Sequence, residues 1–213
     1  MEFETLATGY GLVEGPRIDD QNRLYYSDLR GTGTVNRRSP DGKIETLISG
    51  RPFVGGIALN EGGGLVVSGR TLAKWDEKSG ALRDLFAEWN GRPLFGINDL
   101  TIDDQGSIWF GTFGFDLAGF DFKSKPPVGS LFRIDPPGKV TKLAEGVEIT
   151  NGLGFSPDRK LLYHCDSNSG VWVYDVRADR TVSDRRLFAK VPEGNPDGMT
   201  VDADGGVWSG HWD

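Results

Sequence analysis

Asn98-Asp-Leu-Thr-Ile-Asp-Asp-Gln-Gly-Ser-Ile-Trp-Phe-Gly111 is the stretch whose reading decides the fold. Apolar Leu100 and Ile102 alternate with polar neighbours. A polar turn opens at Asp103, and apolar residues resume at Ile108. A short strand, a Gly/Asp turn and a second strand read as a β-hairpin. The same text returns without gaps at residues 14–27, 55–68, 151–164 and 197–210. Each copy has an apolar residue four places after its head (Ile18, Leu59, Ile102, Phe155, Val201). Each also has a polar turn residue at the next place (Asp19, Asn60, Asp103, Ser156, Asp202) and an apolar residue ten places on (Leu24, Leu65, Ile108, Leu161, Val207). The heads, at 14, 55, 98, 151 and 197, are 41, 43, 53 and 46 residues apart. All-strand periods of about 40 to 50 residues indicate the four-stranded blades of a β-propeller. Second hairpins at 34–48, 72–86, 131–143 and 171–187 complete four blades. A β-sandwich is the competing all-β fold, but it needs no regular period of this size. Residues 80–89 suit either a helical turn or a strand.

Composition narrows the function. The net charge of −7 argues against a nucleic-acid partner, which would meet a basic face. No apolar run approaches the roughly 18 residues of a membrane span. The N-terminus shows no basic and apolar leader, so a cytoplasmic location is expected. A single cysteine, Cys165, excludes an intrachain disulfide framework and a cysteine-based zinc cluster.

Propeller geometry brings the repeat heads around one axis. These are Glu14, Gly55, Asn98, Asn151 and Asp197; four are oxygen donors and none is basic. Converging carboxylates and amide carbonyls suit one hard divalent cation, with Ca²⁺ or Mg²⁺ favoured over a zinc site built from His and Cys. Without a cation, two acids there would repel each other and be partly desolvated. The plainer reading is that Asn-Asp, Asn-Gly and Asp-Gly are turn dipeptides. Against it, each repeat already has its turn five residues later, and Glu14, a poor turn former, holds the same place.

Glu14-Gly-Pro-Arg, Asn98-Asp-Leu-Thr-Ile-Asp, Asn151-Gly-Leu-Gly-Phe-Ser-Pro-Asp, Pro196-Asp-Gly-Met-Thr-Val-Asp and Gly205-Gly-Val-Trp-Ser-Gly-His-Trp resemble the senescence-marker-protein/gluconolactonase/luciferin-regenerating-enzyme family. The resemblance implies a six-bladed propeller that hydrolyses lactones of sugar acids and related esters through a metal in its central channel. It implies Glu14, Asn151 and Asp197 as metal ligands, Asp197 doubling as general base, and Asn98 near metal and substrate. The ion varies in the family among calcium, zinc, magnesium and manganese. Some sugar lactonases of this kind carry a substrate-contacting Arg two residues before the Asn-Asp pair, where this chain has Gly96. The asparagines would orient the ion or stabilise a developing oxyanion. Organophosphate hydrolysis on the same metal site, and a non-enzymatic binding platform, are the alternatives.

Strand direction places the connections 28–34, 70–71, 112–129, 166–170 and 211 onward on the metal face. Segment 113–129 is the longest and holds four phenylalanines; Phe115 among them is expected either to cover the substrate as an apolar lid or to tuck into a blade edge. With Gly96, a lid points to a less polar lactone or ester. His211 is a candidate substrate contact. His164 and Cys165 read as structural, and Trp109, Trp172 and Trp208 as packing between blades. At about 45 residues per blade, 213 residues supply about 4.7 blades of the expected six, and the repeats read as four full blades plus one hairpin, about four and a half. The expectation is therefore a single, incomplete propeller domain over 1–213 in a C-terminally truncated member of the family.

Overall fold

The computed structural model describes residues 4–116, 120–121, 125–191 and 193–212. Every regular element among them is a strand. Contacts divide the chain into two compact units, Met1–Phe86 and Ala87–Asp213.

The first unit holds two four-stranded antiparallel meanders. One runs β1 (Val13–Ile18), β2 (Leu24–Asp28), β3 (Thr34–Arg38), β4 (Ile44–Ile48), and the other β5 (Ile57–Leu59), β6 (Leu65–Val67), β7 (Leu72–Trp75), β8 (Leu82–Phe86). Tyr25, Val35 and Ile48 of one sheet bury against Ile57, Val67 and Trp75 of the other.

The second unit opens with a two-residue hairpin, β9 (Glu88–Trp89) and β10 (Arg92–Pro93). A meander follows: β11 (Ile97–Ile102), β12 (Ile108–Thr112), β13 (Gly129–Asp135), β14 (Lys139–Val147). The next is β15 (Thr150–Phe155), β16 (Leu161–Asp166), β17 (Gly170–Val176), β18 (Val182–Ala189). A last hairpin pairs β19 (Asn195–Val201) with β20 (Val207–Trp212). These sheets are the propeller blades that the repeat spacing predicts, and within residues 80–89 the regular structure is strand, at 82–86 and 88–89, not helix. Trp109 packs edge-on against Phe155 of the next sheet, with Leu131, Leu162 and Tyr174 around them.

The recurring turn has a physical basis in its first residue. The Oδ1 atoms of Asp19, Asp103 and Asp202 each accept two backbone N–H bonds from the turn that follows. A short carboxylate side chain thus closes the loop that the backbone alone leaves open. The residue eight places after each head (Asn22, Gly63, Gly106, Arg159, Gly205) has φ between 56° and 89°: 56°, 87°, 76°, 61° and 89°. Only glycine adopts that backbone without strain, which explains three of the five. The indole of Trp109 donates to Asp103 Oδ2 at 2.9 Å and that of Trp208 to Asp202 Oδ2 at 2.8 Å. Trp109 is buried and Trp172 packs against the same core, as expected; Trp208, 64% exposed, is tied by its indole to Asp202 of its own hairpin.

Candidate functional site

Each repeat head after Gly55 sits at a break in strand register. In β11 the pairing jumps from Ile97 to Leu100, in β15 from Thr150 to Leu153, and in β19 from Pro196 to Met199. The dipeptides Asn98-Asp99, Asn151-Gly152 and Asp197-Gly198 are therefore two-residue bulges, each opposite a single partner residue. In the first unit, β1 breaks in the same way one residue later, between Glu14 and Arg17. A bulge re-aims a side chain out of the pleat, and bulges cluster beside active sites. The dipeptides are thus neither turns nor ordinary strand. Gly152 is required by close approach: a Cβ there would run into the backbone nitrogen of Met199 on β19.

The three bulge heads of the second unit are linked by hydrogen bonds. Asn98 Nδ2 donates to Asn151 Oδ1 and to Thr150 O, both at 2.9 Å. Asn151 Nδ2 donates to Ser167 Oγ at 3.0 Å, and Ser167 Oγ donates to Pro196 O at 2.7 Å, one residue before Asp197. Burial raises the pKa of the Asp197 carboxyl above its usual value, while the Asn151 amide and the Gly198 N–H pull it partly back. An acid desolvated in this way and held only by neutral dipoles is poised to take a proton or a cation.

Two hydrogens of the Asn98 amide nitrogen are committed to Thr150 and Asn151. Its remaining hydrogen-bonding atom is Oδ1, an acceptor. The expected oxyanion-stabilising role of Asn98 is therefore not available to it; it can accept from a substrate hydroxyl or face a cation.

Glu14 is described within the first unit alone: it is half-buried on β1, and its backbone carbonyl lies 3.3 Å from Ser27 Oγ. His211 is Cα-paired with Pro196 across the β19–β20 hairpin and is exposed. Phe115 is 5% exposed and packs against Phe113, Phe120 and Ile149, with ring centroids 5.5 and 4.0 Å from Phe113 and Phe120. This corrects the lid expectation: a ring enclosed by three apolar neighbours has little surface left for a substrate. Phe122, the fourth phenylalanine of the segment, lies outside the described residues. His164 is fully buried, and its Nε2 is 3.1 Å from Thr150 Oγ1; burial, with the Arg185 charge, lowers its pKa to about 3. Cys165 is buried with Sγ 3.4 Å from Ser209 Oγ, and burial raises its pKa to about 11, far from nucleophilic. Sequence reasoning missed Thr150 and Ser167. Ser167 falls in a connection assigned to the metal face, but nothing in its spacing marks its contacts.

No group of three or more His, Cys, Asp or Glu side chains gathers among the described residues. The donor set here is different: one desolvated carboxylate, Asp197, with the amide oxygens of Asn151 and Asn98. Those all-oxygen donors, with no cationic side chain among the groups that shift Asp197, fit a hard divalent ion.

Residues 12–213 match the SMP-30/Gluconolactonase/LRE-like region, and the chain belongs to that family. It is similar to the pentonolactonase of Haloferax volcanii, with 31% identity covering 97% of this chain and 68% of that protein. It is also similar to the regucalcin of Xenopus laevis, with 31% identity covering 93% of this chain and 68% of that protein. Among solved structures, a gluconolactonase from Xanthomonas campestris superposes with a TM-score of 0.84 at 31% identity, over 96% of this chain and 71% of that one.

Proposed function

We propose that this chain is a divalent-metal-dependent lactonase acting on sugar-acid lactones, with Asp197 as general base. The observation that carries the reading is the desolvated Asp197 carboxyl beside the Asn151 amide, which is itself hydrogen-bonded to Asn98. Several relatives are named as lactonases, among them a pentonolactonase and a gluconolactonase, which supports sugar-acid lactones as the substrate class. Asp197 and Asn151 would hold the cation, Ca²⁺ being favoured by the oxygen donors; when bound, it would polarise the lactone carbonyl and lower the pKa of the attacking water. Asp197 takes the proton from that water as its oxygen adds to the carbonyl carbon. The ring C–O bond then breaks, and the proton passes to the leaving alkoxide to give the open hydroxy acid. Asn98 Oδ1 accepts from a ring hydroxyl, which suits a polyol better than an alkyl lactone. With Phe115 packed away, the argument for a less polar substrate loses its lid.

The test is metal analysis of the purified protein with assays on aldonolactones, alkyl lactones and a phosphotriester, with and without chelator. Hydrolysis of aldonolactones that chelation abolishes and Ca²⁺ restores is expected; Glu14→Gln checks the further carboxylate ligand implied by the family resemblance. Absence of turnover on every lactone, whatever divalent ion is supplied, would overturn the reading and leave a binding module. Phosphotriester turnover without lactone turnover would move the assignment to an organophosphate hydrolase.

A further inference from the structure

We infer that Ser167 is a positioning residue that, together with Asn98, holds the Asn151 amide with its oxygen end toward the candidate cation. The inference rests on the lactonase reading and deepens it. Pro196 O is a backbone carbonyl and can only accept, so the Ser167 hydroxyl, 2.7 Å away, must spend its one hydrogen there. What Ser167 offers Asn151, 3.0 Å away, is then a lone pair, and Asn151 must present its NH₂ end to it. The Oδ1 end is turned to the opposite side, where Asn98 Nδ2 meets it at 2.9 Å and a lone pair remains for a cation. Were the amide reversed, its oxygen would face the Ser167 lone pairs and its hydrogens would face those of Asn98. Ser167 is buried, so water does not readily replace its hydroxyl.

The repeats show that the outer half of this contact recurs. Ser27 Oγ donates to Val54 O at 2.5 Å, Asn98 Nδ2 to Thr150 O at 2.9 Å and Ser167 Oγ to Pro196 O at 2.7 Å. In all three, the accepting carbonyl belongs to the residue immediately before the next repeat head (Gly55, Asn151, Asp197). A polar hydrogen from one repeat thus holds the backbone that launches the next head, and in the fourth repeat the same hydroxyl also sets the ligand amide. Groups that orient a metal ligand from behind typically change affinity by about 10- to 100-fold when removed.

The experiment is Ca²⁺ titration calorimetry on the wild type, Ser167→Ala, Ser167→Thr and Asp197→Asn, together with NMR hydrogen exchange of the Asn151 side-chain amide in metal-free protein. Ser167→Ala is expected to weaken Ca²⁺ binding about 10- to 100-fold and to remove exchange protection from the Asn151 NH₂, while Ser167→Thr, which keeps the hydroxyl, restores both. If Ser167→Ala does not fold, Ser167→Cys, near in size but a poor donor, is expected to show the same losses. Unchanged Ca²⁺ affinity in a wild type that binds Ca²⁺ would overturn the inference and leave the lactonase reading intact. If the wild type binds no divalent ion, the metal reading fails, and the Asn151 exchange data decide the Ser167 role alone: lost protection supports it, retained protection overturns it.

Discussion

Asn98 and Asn151, 53 residues apart in the chain, share a hydrogen bond of 2.9 Å from Nδ2 to Oδ1, and each stands at the head of its repeat. The bond ties two bulges together side by side. It follows that Asn98→Asp would replace two donors by acceptors facing Thr150 O and Asn151 Oδ1. The expected cost is about 1–3 kcal/mol in denaturant unfolding, with KM rising as the Asn151 amide loses its partner.

Asp197→Asn separates function from stability. Turnover should fall by about 10²–10⁴-fold if the carboxylate is the general base. Near-normal activity with metal still bound would remove Asp197 from that role. The metal-free variant should also melt higher than the wild type at neutral pH. Because the folded-state pKa of Asp197 is raised, its protonated form favours the fold, and this stability is lost as pH rises through the folded pKa. The stability gap between the two proteins should therefore close as pH falls below that value.

His164 works in the opposite direction. Its pKa is lowered from 6.5 to about 3 in the fold, chiefly by burial, so the unfolded chain binds the proton more readily. Stability from the neutral ring is complete above pH 6.5 and is lost as pH falls toward 3, at up to about 1.4 kcal/mol per pH unit. Urea midpoints measured across pH 4 to 7 should show this slope, and His164→Gln should flatten it.

Gly152→Ala tests the close approach of β15 to β19. The added Cβ would meet the Met199 backbone, which cannot swing aside as a side chain would. A loss of about 1–3 kcal/mol is expected, read as a lower melting temperature; an unchanged one would mean the strands can part without cost.

Phe115→Ala distinguishes core from lid. Enclosed by Phe113, Phe120 and Ile149, the ring should cost about 3 kcal/mol of stability when removed, as core aromatics do. KM for an aldonolactone should hardly move; a large KM change at unaltered stability would return Phe115 to the substrate.

The blades were legible in the sequence because their determinants are local. Alternating apolar residues, an aspartate that caps its own turn and a residue able to take positive φ all lie within one 14-residue text, and that text recurs. Repetition also singled out Asn98, Asn151 and Asp197, since equivalent positions in stacked blades meet. What the sequence did not carry was orientation. That the heads stand on bulges, that Asn98 has spent both amide hydrogens, that Ser167 sits behind Asn151 and that Phe115 is walled in are contacts between residues up to 53 positions apart. Local sequence chose the strands and turns, because backbone and side chain answer to near neighbours there. Only the tertiary structure decided the hydrogen-bond directions and the desolvation of Asp197, because both depend on which distant groups surround an atom once water has been excluded.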